Sequence, residues 1–176
     1  MLALSFWAAT TTLAHAHALP GTILVFAQTE DTLTVEITVN VEDLTIAEPA
    51  LLVLRDLPVG PLRDELLTDQ INTYFDYHMK VTAGSETISF TLDHAEITLG
   101  ENDHVGVFEQ MVLTFISDTA PSTEALTLRY DAVMHEVRNH RAVVYWADPG
   151  GGTNFIAEFG YRRIDGAAAP VELAAP

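Results

Sequence analysis

Hydrophobic and polar residues alternate along most of the chain between residues 21 and 164. The clearest run is 31–41 (DTLTVEITVNV), in which every second residue is apolar. A period of two indicates a strand with one buried and one solvated face. Related patterns predict further strands at 21–28, 80–83, 86–99, 105–117, 126–134, 140–147 and 154–164, and the short apolar run 50–54 is another candidate.

One stretch, 62–78, changes to a helical period. Its apolar residues and terminal histidine fall at helical spacing: Leu66, Leu67, Ile71, Tyr74, Phe75 and His78. Acidic residues stand in the first turn, where the helix dipole favours them. About eight strands, joined mostly by hairpins, and one amphipathic helix near 62–78 predict a mainly β fold. We expect an antiparallel β-sandwich, immunoglobulin-like or related.

The two ends of the chain differ from this pattern. An apolar run followed by Ala14-His15-Ala16 predicts a signal peptide over 1–16, although no lysine or arginine precedes it. We therefore expect export to the periplasm or cell surface and a mature N-terminus at His17, or at His15. Residues 17–165 are expected to form a single β-sandwich domain, and 166–176 an Ala/Pro-rich tail or linker. No run is long enough for a transmembrane segment.

The amino-acid composition argues against several classes of function. Twenty-five acidic residues against eight basic ones, a net charge of −17, argue against nucleic acid and against an anionic membrane surface. With no cysteine, disulfides and thiolate sites are excluded. No nucleophile-elbow or phosphate-loop motif is present. These observations favour a non-catalytic protein.

The most unusual chemistry lies in residues 127–146, read as two strands joined by a turn at 136–139. If they pair as a hairpin, His135 and His140 face each other with Cβ atoms about 4.5–5.5 Å apart. Two imidazoles at that distance could share a divalent transition metal such as nickel, copper or zinc. Two ligands alone make a weak site. The alternative is an exposed turn whose histidines bond nearby carboxylates or water.

Other residues extend this candidate site. A terminal His17 would offer both its amine and its imidazole, a chelate that suits copper. Arg138 and Arg141, with Asn139 between them, form a local basic cluster for an anionic ligand or a partner. Asp103 and His104 stand in a polar loop and could ligate a metal, although such loop residues more often bond their own backbone.

The residues ALPGTILVFAQ at the front, NDHVGVF in the middle and LRYDAVMHEVRNHRAVVYW near the end resemble one known family. They are similar to the extracytoplasmic N-terminal domain of HupE/UreJ-like membrane proteins over most of 17–165. The sharpest part of the likeness falls on Tyr130, Asp131, His135, Asn139 and His140. The resemblance implies nickel handling in hydrogenase and urease systems. Members continue into transmembrane helices, whereas this chain stops at its Ala/Pro tail, so transport does not carry over.

The leading expectation is an exported, non-catalytic domain that binds a divalent transition metal or assists a metal-handling membrane protein. That partner could also be a membrane-embedded portion of the same system. One alternative is a protein-interaction domain that binds no metal and docks through the Arg/His-rich hairpin. Another is a copper protein that uses an N-terminal histidine. None of the three involves nucleic acid.

Overall fold

The structure is a computed structural model that describes residues 21–29, 31–117, 125–160, 163–164 and 167–173. Within these residues there are two α-helices, one 3-10 helix and thirteen strands. The helices are α1 (Val41–Ala47), the 3-10 helix (Pro49–Asp56) and α2 (Glu65–His78). The strands are β1 (Thr22–Gln28), β2 (Leu33–Asn40), β3 (Gly60–Pro61), β4 (Met79–Ala83), β5 (Glu86–Ile88), β6 (Phe90–Asn102), β7 (Gly106–Ser117), β8 (Leu126–Tyr130), β9 (Ala142–Ala147), β10 (Thr153–Phe159), β11 (Arg163–Ile164), β12 (Ala167–Ala168) and β13 (Val171–Leu173).

Most strands belong to two sheets. A seven-stranded sheet has the order β10-β9-β1-β2-β7-β6-β3, and a four-stranded sheet has the order β13-β8-β4-β5. Strands β11 and β12 form a separate pair. Among the described strands every pairing is antiparallel except that of β1 with β9, which is parallel. The predicted mainly β fold is confirmed, with this one parallel pair as an exception.

One hydrophobic core joins the two large sheets. Phe26 and Phe115 come from the seven-stranded sheet, Val81 and Leu128 from the four-stranded sheet, and Phe75 from α2. The inward side of each strand supplies the apolar residues of its alternating pattern, as expected for sheets that bury one face. The arrangement is that of a β-sandwich with helices packed on its core.

The predicted helix near 62–78 is confirmed as α2. Asp64 caps its start, because the carboxylate accepts a hydrogen bond from the Leu67 backbone N–H at 3.1 Å. The helix is fixed to β6 by Asn72, whose side-chain oxygen accepts from the Leu92 N–H at 2.8 Å. Leu66 departs from expectation: it is 70% exposed, because it lies outside the buried stripe of the helix.

The short apolar run 50–54 lies in the 3-10 helix, so the prediction of a strand there is wrong. Strand β2 ends at Asn40, whose side chain accepts from the Asp43 N–H at 2.6 Å and starts α1. Glu48 then accepts from the Ala50 N–H, and Pro49 occupies the first helical position. A short apolar run bounded by such caps can be helix or strand, and here the caps determine the outcome.

The expected hairpin over 126–147 does not form, and that prediction is wrong. Strand β8 pairs with β4 and β13, whereas β9 pairs with β1 and β10 in the other sheet. Between them, residues 131–141 form consecutive turns, in which the His135 N–H donates to the Asp131 carbonyl at 3.0 Å. The turn predicted at 136–139 lies within this segment. The pattern could not show that the following strand joins a different sheet.

Other long-range features also departed from the sequence pattern. Residues 86–99 read as one strand, but the chain leaves the four-stranded sheet after β5 and enters the seven-stranded sheet at β6. In the predicted tail, β13 pairs with β8 and Leu173 is buried.

The predicted signal peptide and His17 lie outside the described residues. No helix in the described ranges is long and apolar enough to cross a membrane.

Candidate functional site

His140 lies at the centre of a buried polar network. Its Nδ1 is 2.7 Å from Asp43 Oδ2, and its Nε2 is 2.7 Å from the Thr22 hydroxyl. The Thr22 backbone N–H also donates to Nε2 at 3.1 Å. The carboxylate can only accept, so Nδ1 carries the proton, and the neutral ring accepts at Nε2. Both ring nitrogens of His140 are therefore engaged inside the protein.

Asp43 is held as a carboxylate in this network. Burial by itself raises its pKa, but hydrogen bonds from His140 and Asn40 outweigh burial and leave the pKa lowered. Asn40 Nδ2 donates to Asp43 Oδ2 at 3.1 Å, so the residue that caps α1 also orients the carboxylate. The network thereby connects α1 to β1 and to the start of β9.

Gly21 permits the close approach that this network needs. A Cβ atom at Gly21 would collide with the Arg141 carbonyl. The Thr22 N–H donates to that same carbonyl at 2.8 Å. Glycine thus allows β1 to begin directly against the residues that follow His140, and this places the Thr22 hydroxyl at the imidazole.

A second histidine cluster lies at the C-terminal end of α2. His78 Nδ1 is 2.7 Å from Asp131 Oδ1, and the Asp131 N–H donates to the His78 carbonyl at 3.0 Å. The rings of His78 and His135 are stacked, with centroids 4.0 Å apart and an angle of 16° between planes. His135 Nδ1 is also 3.2 Å from the Asp131 carbonyl oxygen. Asp131 therefore orients both imidazoles, one through its side chain and the other through its backbone.

Tyr74 and a strained turn hold this cluster in place. Val133 has a φ of +64°, a left-handed conformation that is unfavourable for a β-branched residue. Its N–H donates to the Tyr74 hydroxyl at 2.8 Å. Burial raises the pKa of Tyr74 well above its usual range; the Val133 hydrogen bond lowers it, and nearby carboxylates, including Glu48, raise it. The strain is thus retained by a specific contact beside His135.

A groove runs along α2 next to the cluster. Its volume is about 460 Å³. One wall is the outward stripe of the helix, which consists of Leu66, Asp69, Gln70, Thr73 and Tyr77. These residues recur every three or four positions and so share one face. All five are exposed, and Tyr77 is 77% exposed.

The opposite side and the end of the groove come from other parts of the fold. Glu48 and Ala50, at the start of the 3-10 helix, face the α2 stripe. Tyr74 and His78 also line the groove, so it ends at the histidine cluster. We call the whole site, lined by these four residues and the five of the stripe, the α2 groove. Its volume is in the range of small-ligand sites, although it is open to solvent on one side.

The structure separates the residues that the sequence placed together. His135 stacks on His78, whereas His140 bonds Asp43 and Thr22, so they do not meet across a hairpin. Asp131 joins the cluster with His135. Tyr130 is buried; burial raises its pKa above the usual range, and Thr22 is the polar neighbour that opposes this shift. The Tyr130 hydroxyl nevertheless makes no hydrogen bond of good geometry within the described residues.

The remaining predicted residues are on the surface. Arg138 and Asn139 are exposed in the turn before His140, and Arg141 pairs with Glu158 at 2.6 Å. Asp103 and His104 are exposed in the turn between β6 and β7. There the His104 N–H donates to the Asn102 side chain at 2.9 Å, which is the backbone-bonding turn considered as the alternative.

Sequence reasoning missed several residues of these sites. Asp43 and Thr22 lie 97 and 118 residues from His140, and no local pattern connects them. In the sequence, His78 is only the last residue of the predicted helix. The outward stripe of α2 has a signal in the sequence, since Leu66 and Tyr77 are large and are separated by three helical turns.

No group of three or more histidine, aspartate or glutamate residues in the described ranges is arranged to hold a metal ion. Comparison with known proteins finds no family whose sequence profile matches this chain and no curated protein that matches it. The likeness to HupE/UreJ-like domains therefore stays a prediction.

Proposed function

We propose that this chain is an exported, non-catalytic binding domain that holds a protein partner in the α2 groove. The observation that carries the proposal is the outward stripe of α2, where Leu66 and Tyr77 are 70% and 77% exposed. Both side chains lie on one exposed helix face beside a groove, and exposed apolar surface next to a groove is a feature of interaction sites. The partner that we propose is a membrane protein of a metal-handling system.

The buried network supports a binding function over a catalytic one. Asp43, His140 and Thr22 are connected like an acid–base–hydroxyl set, but the His140 side chain is 0% exposed and Thr22 is fully buried. A hydroxyl that performs chemistry must reach its substrate. This network holds β1, α1 and β9 together, whereas the α2 groove is open to a partner.

Site-specific photo-crosslinking in the native host tests the proposal. A photoreactive residue at position 66 and, separately, at position 77 should give the same crosslinked protein, identified by mass spectrometry. Position 107 is the matched control, since Val107 is 64% exposed but lies on β7. The purified partner should then bind the chain and lose affinity for Tyr77→Asp. Identical crosslinks from position 107 would reject the groove as the site.

A second candidate function is binding of a divalent transition metal at His78 and His135. The observation that favours it is the contact of each Nδ1 with Asp131, since ligating histidines usually donate that N–H to a carboxylate or carbonyl. Calorimetric titration with Ni(II), Cu(II) or Zn(II) should show binding that the double variant His78→Ala/His135→Ala loses. Equal uptake by both proteins would discard this candidate.

A further inference from the structure

The charge of the α2 groove is negative on both sides. Asp69 lies on the α2 wall and Glu48 lies opposite, and no lysine or arginine is among the described residues that line the groove. The nearby lysine, Lys80, is 3.4 Å from Asp76, which is not a lining residue. The groove therefore offers carboxylates to a ligand without basic side chains of its own to neutralise them.

Apolar and aromatic groups line the groove together with these carboxylates. The Tyr77 ring is exposed and packs edge-on against His78, with centroids 4.9 Å apart. Leu66 is exposed at the other end of the same wall. A cationic side chain matches the Tyr77 end of this wall, because its head can meet an aromatic ring and a carboxylate. A neighbouring apolar side chain of the same ligand would cover Leu66, which lies about 16 Å away along the helix.

Carboxylates near the buried hydroxyl of Tyr74 add to the negative potential of the groove. Carboxylates of Glu48, Asp131 and Glu136 all act to raise the pKa of the Tyr74 hydroxyl, after burial as the main cause. Tyr74 lines the groove, so these three carboxylates are close enough to influence a charge placed there. A ligand cation would be stabilised by the same groups that destabilise a tyrosinate.

We propose that the segment of the partner that enters the α2 groove is basic and places an arginine or lysine side chain between Asp69, Glu48 and the ring of Tyr77. This inference rests on the proposed function and adds the chemistry of the partner. The argument for this occupant is charge complementarity with a groove whose lining is acidic and aromatic. Arginine fits best, since its planar head stacks on aromatic rings and bonds carboxylates.

Peptide titration followed by amide NMR tests this. The probes are a capped Leu-Arg-Leu-Leu peptide and the same peptide with citrulline, a neutral isostere, in place of arginine. The arginine peptide should shift the amides of residues 66–78 and bind about fivefold more tightly than the citrulline peptide. This advantage should shrink at high salt.

Variants that remove the carboxylate charges test whether Asp69 and Glu48 cause the preference for the arginine peptide. Asp69→Asn with Glu48→Gln should reduce the preference for the arginine peptide over the citrulline peptide, and the remainder is the contribution of the Tyr77 ring. Glutamine retains the oxygen that accepts from the Ala50 N–H, so the start of the 3-10 helix is preserved. Asp56→Asn is the matched control, because Asp56 is an exposed carboxylate on the same 3-10 helix but does not line the groove.

The outcomes separate the two levels of the proposal. Equal affinity of both peptides at the groove would overturn the basic partner and leave the binding groove in place. Absence of shifts at residues 66–78 with either peptide would also overturn it, and the crosslinking result would then decide the proposed function by itself. An equal loss of affinity in Asp56→Asn would show nonspecific attraction to an acidic protein and would likewise overturn it.

Discussion

Two aspartate–histidine pairs in this molecule have the same bond and opposite surroundings. The distance from Nδ1 to the carboxylate oxygen is 2.7 Å in both His140–Asp43 and His78–Asp131. The first histidine side chain is 0% exposed, whereas the second is 11% exposed and its aspartate partner 32%. The first pair joins distant strands, and the second lies at the end of an open groove.

The difference shows that the cost of breaking a hydrogen bond depends on whether water can reach the partner that remains. Where water is excluded, loss of one partner leaves the other unsatisfied and costs the full desolvation penalty. Where water can enter, the remaining group is solvated, and the bond mainly fixes the direction of a side chain. We therefore expect the His140 pair to determine stability and the His78 pair to determine the geometry of the groove.

The largest expected effect comes from His140→Ala. Asp43 and the Thr22 hydroxyl would lose their contacts with the buried imidazole, so the free energy of unfolding should fall by about 3 kcal/mol. Urea denaturation followed by circular dichroism measures this. If His140→Ala lowered the free energy of unfolding by less than His78→Ala does, the comparison between the two pairs would be contradicted.

A smaller effect is expected for Tyr74→Phe. The change removes the hydroxyl that accepts from the buried Val133 N–H, so we expect a loss of about 1–2 kcal/mol. The His135 ring signals should also shift, because the turn that carries the ring is released. Tyr77→Phe, which removes an exposed hydroxyl three residues along, is the control and should change stability by less than about 0.5 kcal/mol.

Acid should weaken the buried pair in a defined pH range. The folded-state pKa of Asp43 is lowered from 3.8. The stability that this shift provides is fully present above the unfolded-state pKa and is lost as pH falls through the folded-state pKa. The stability difference between the natural protein and Asp43→Asn should therefore narrow below pH 3.8. A difference that stays constant down to the lowest pH at which both fold would contradict the pairing.

The smallest effect is expected for His78→Ala. Asp131 is accessible to water, so unfolding free energy should change by less than about 1 kcal/mol. The amides around position 135 should nevertheless shift in NMR spectra, because the stacked ring is removed. A loss as large as that of His140→Ala would show that the outer pair is also structural.

The spacing of apolar residues along the chain predicted the strands and the helix far better than it predicted the candidate sites. Strands such as β2 and β7 bury alternate residues, so the period of two in the sequence was sufficient to find them. The α2 helix was equally clear, because its buried positions follow the helical repeat. Both are properties of neighbouring residues.

The candidate sites depend on contacts that the pattern does not contain. The hairpin between His135 and His140 was inferred from proximity in the chain, whereas the strands on either side belong to different sheets. The Val133 turn is held by Tyr74, 59 residues earlier. Two strands separated by a polar turn indicate a hairpin only when both flanks pair with each other, and a single sequence does not show this.

The parallel pairing of β1 with β9 has a consequence for how the chain folds. Residues 22–26 meet their partners 142–146 only after almost the whole domain has been synthesised. The β6–β7 hairpin can form locally, but the β1–β9 ladder must close a loop of more than a hundred residues, which is entropically costly and slow. The His140 contacts with Thr22 belong to this late step. They should therefore slow unfolding more than they speed folding, so that the chain reaches its native state slowly and leaves it slowly.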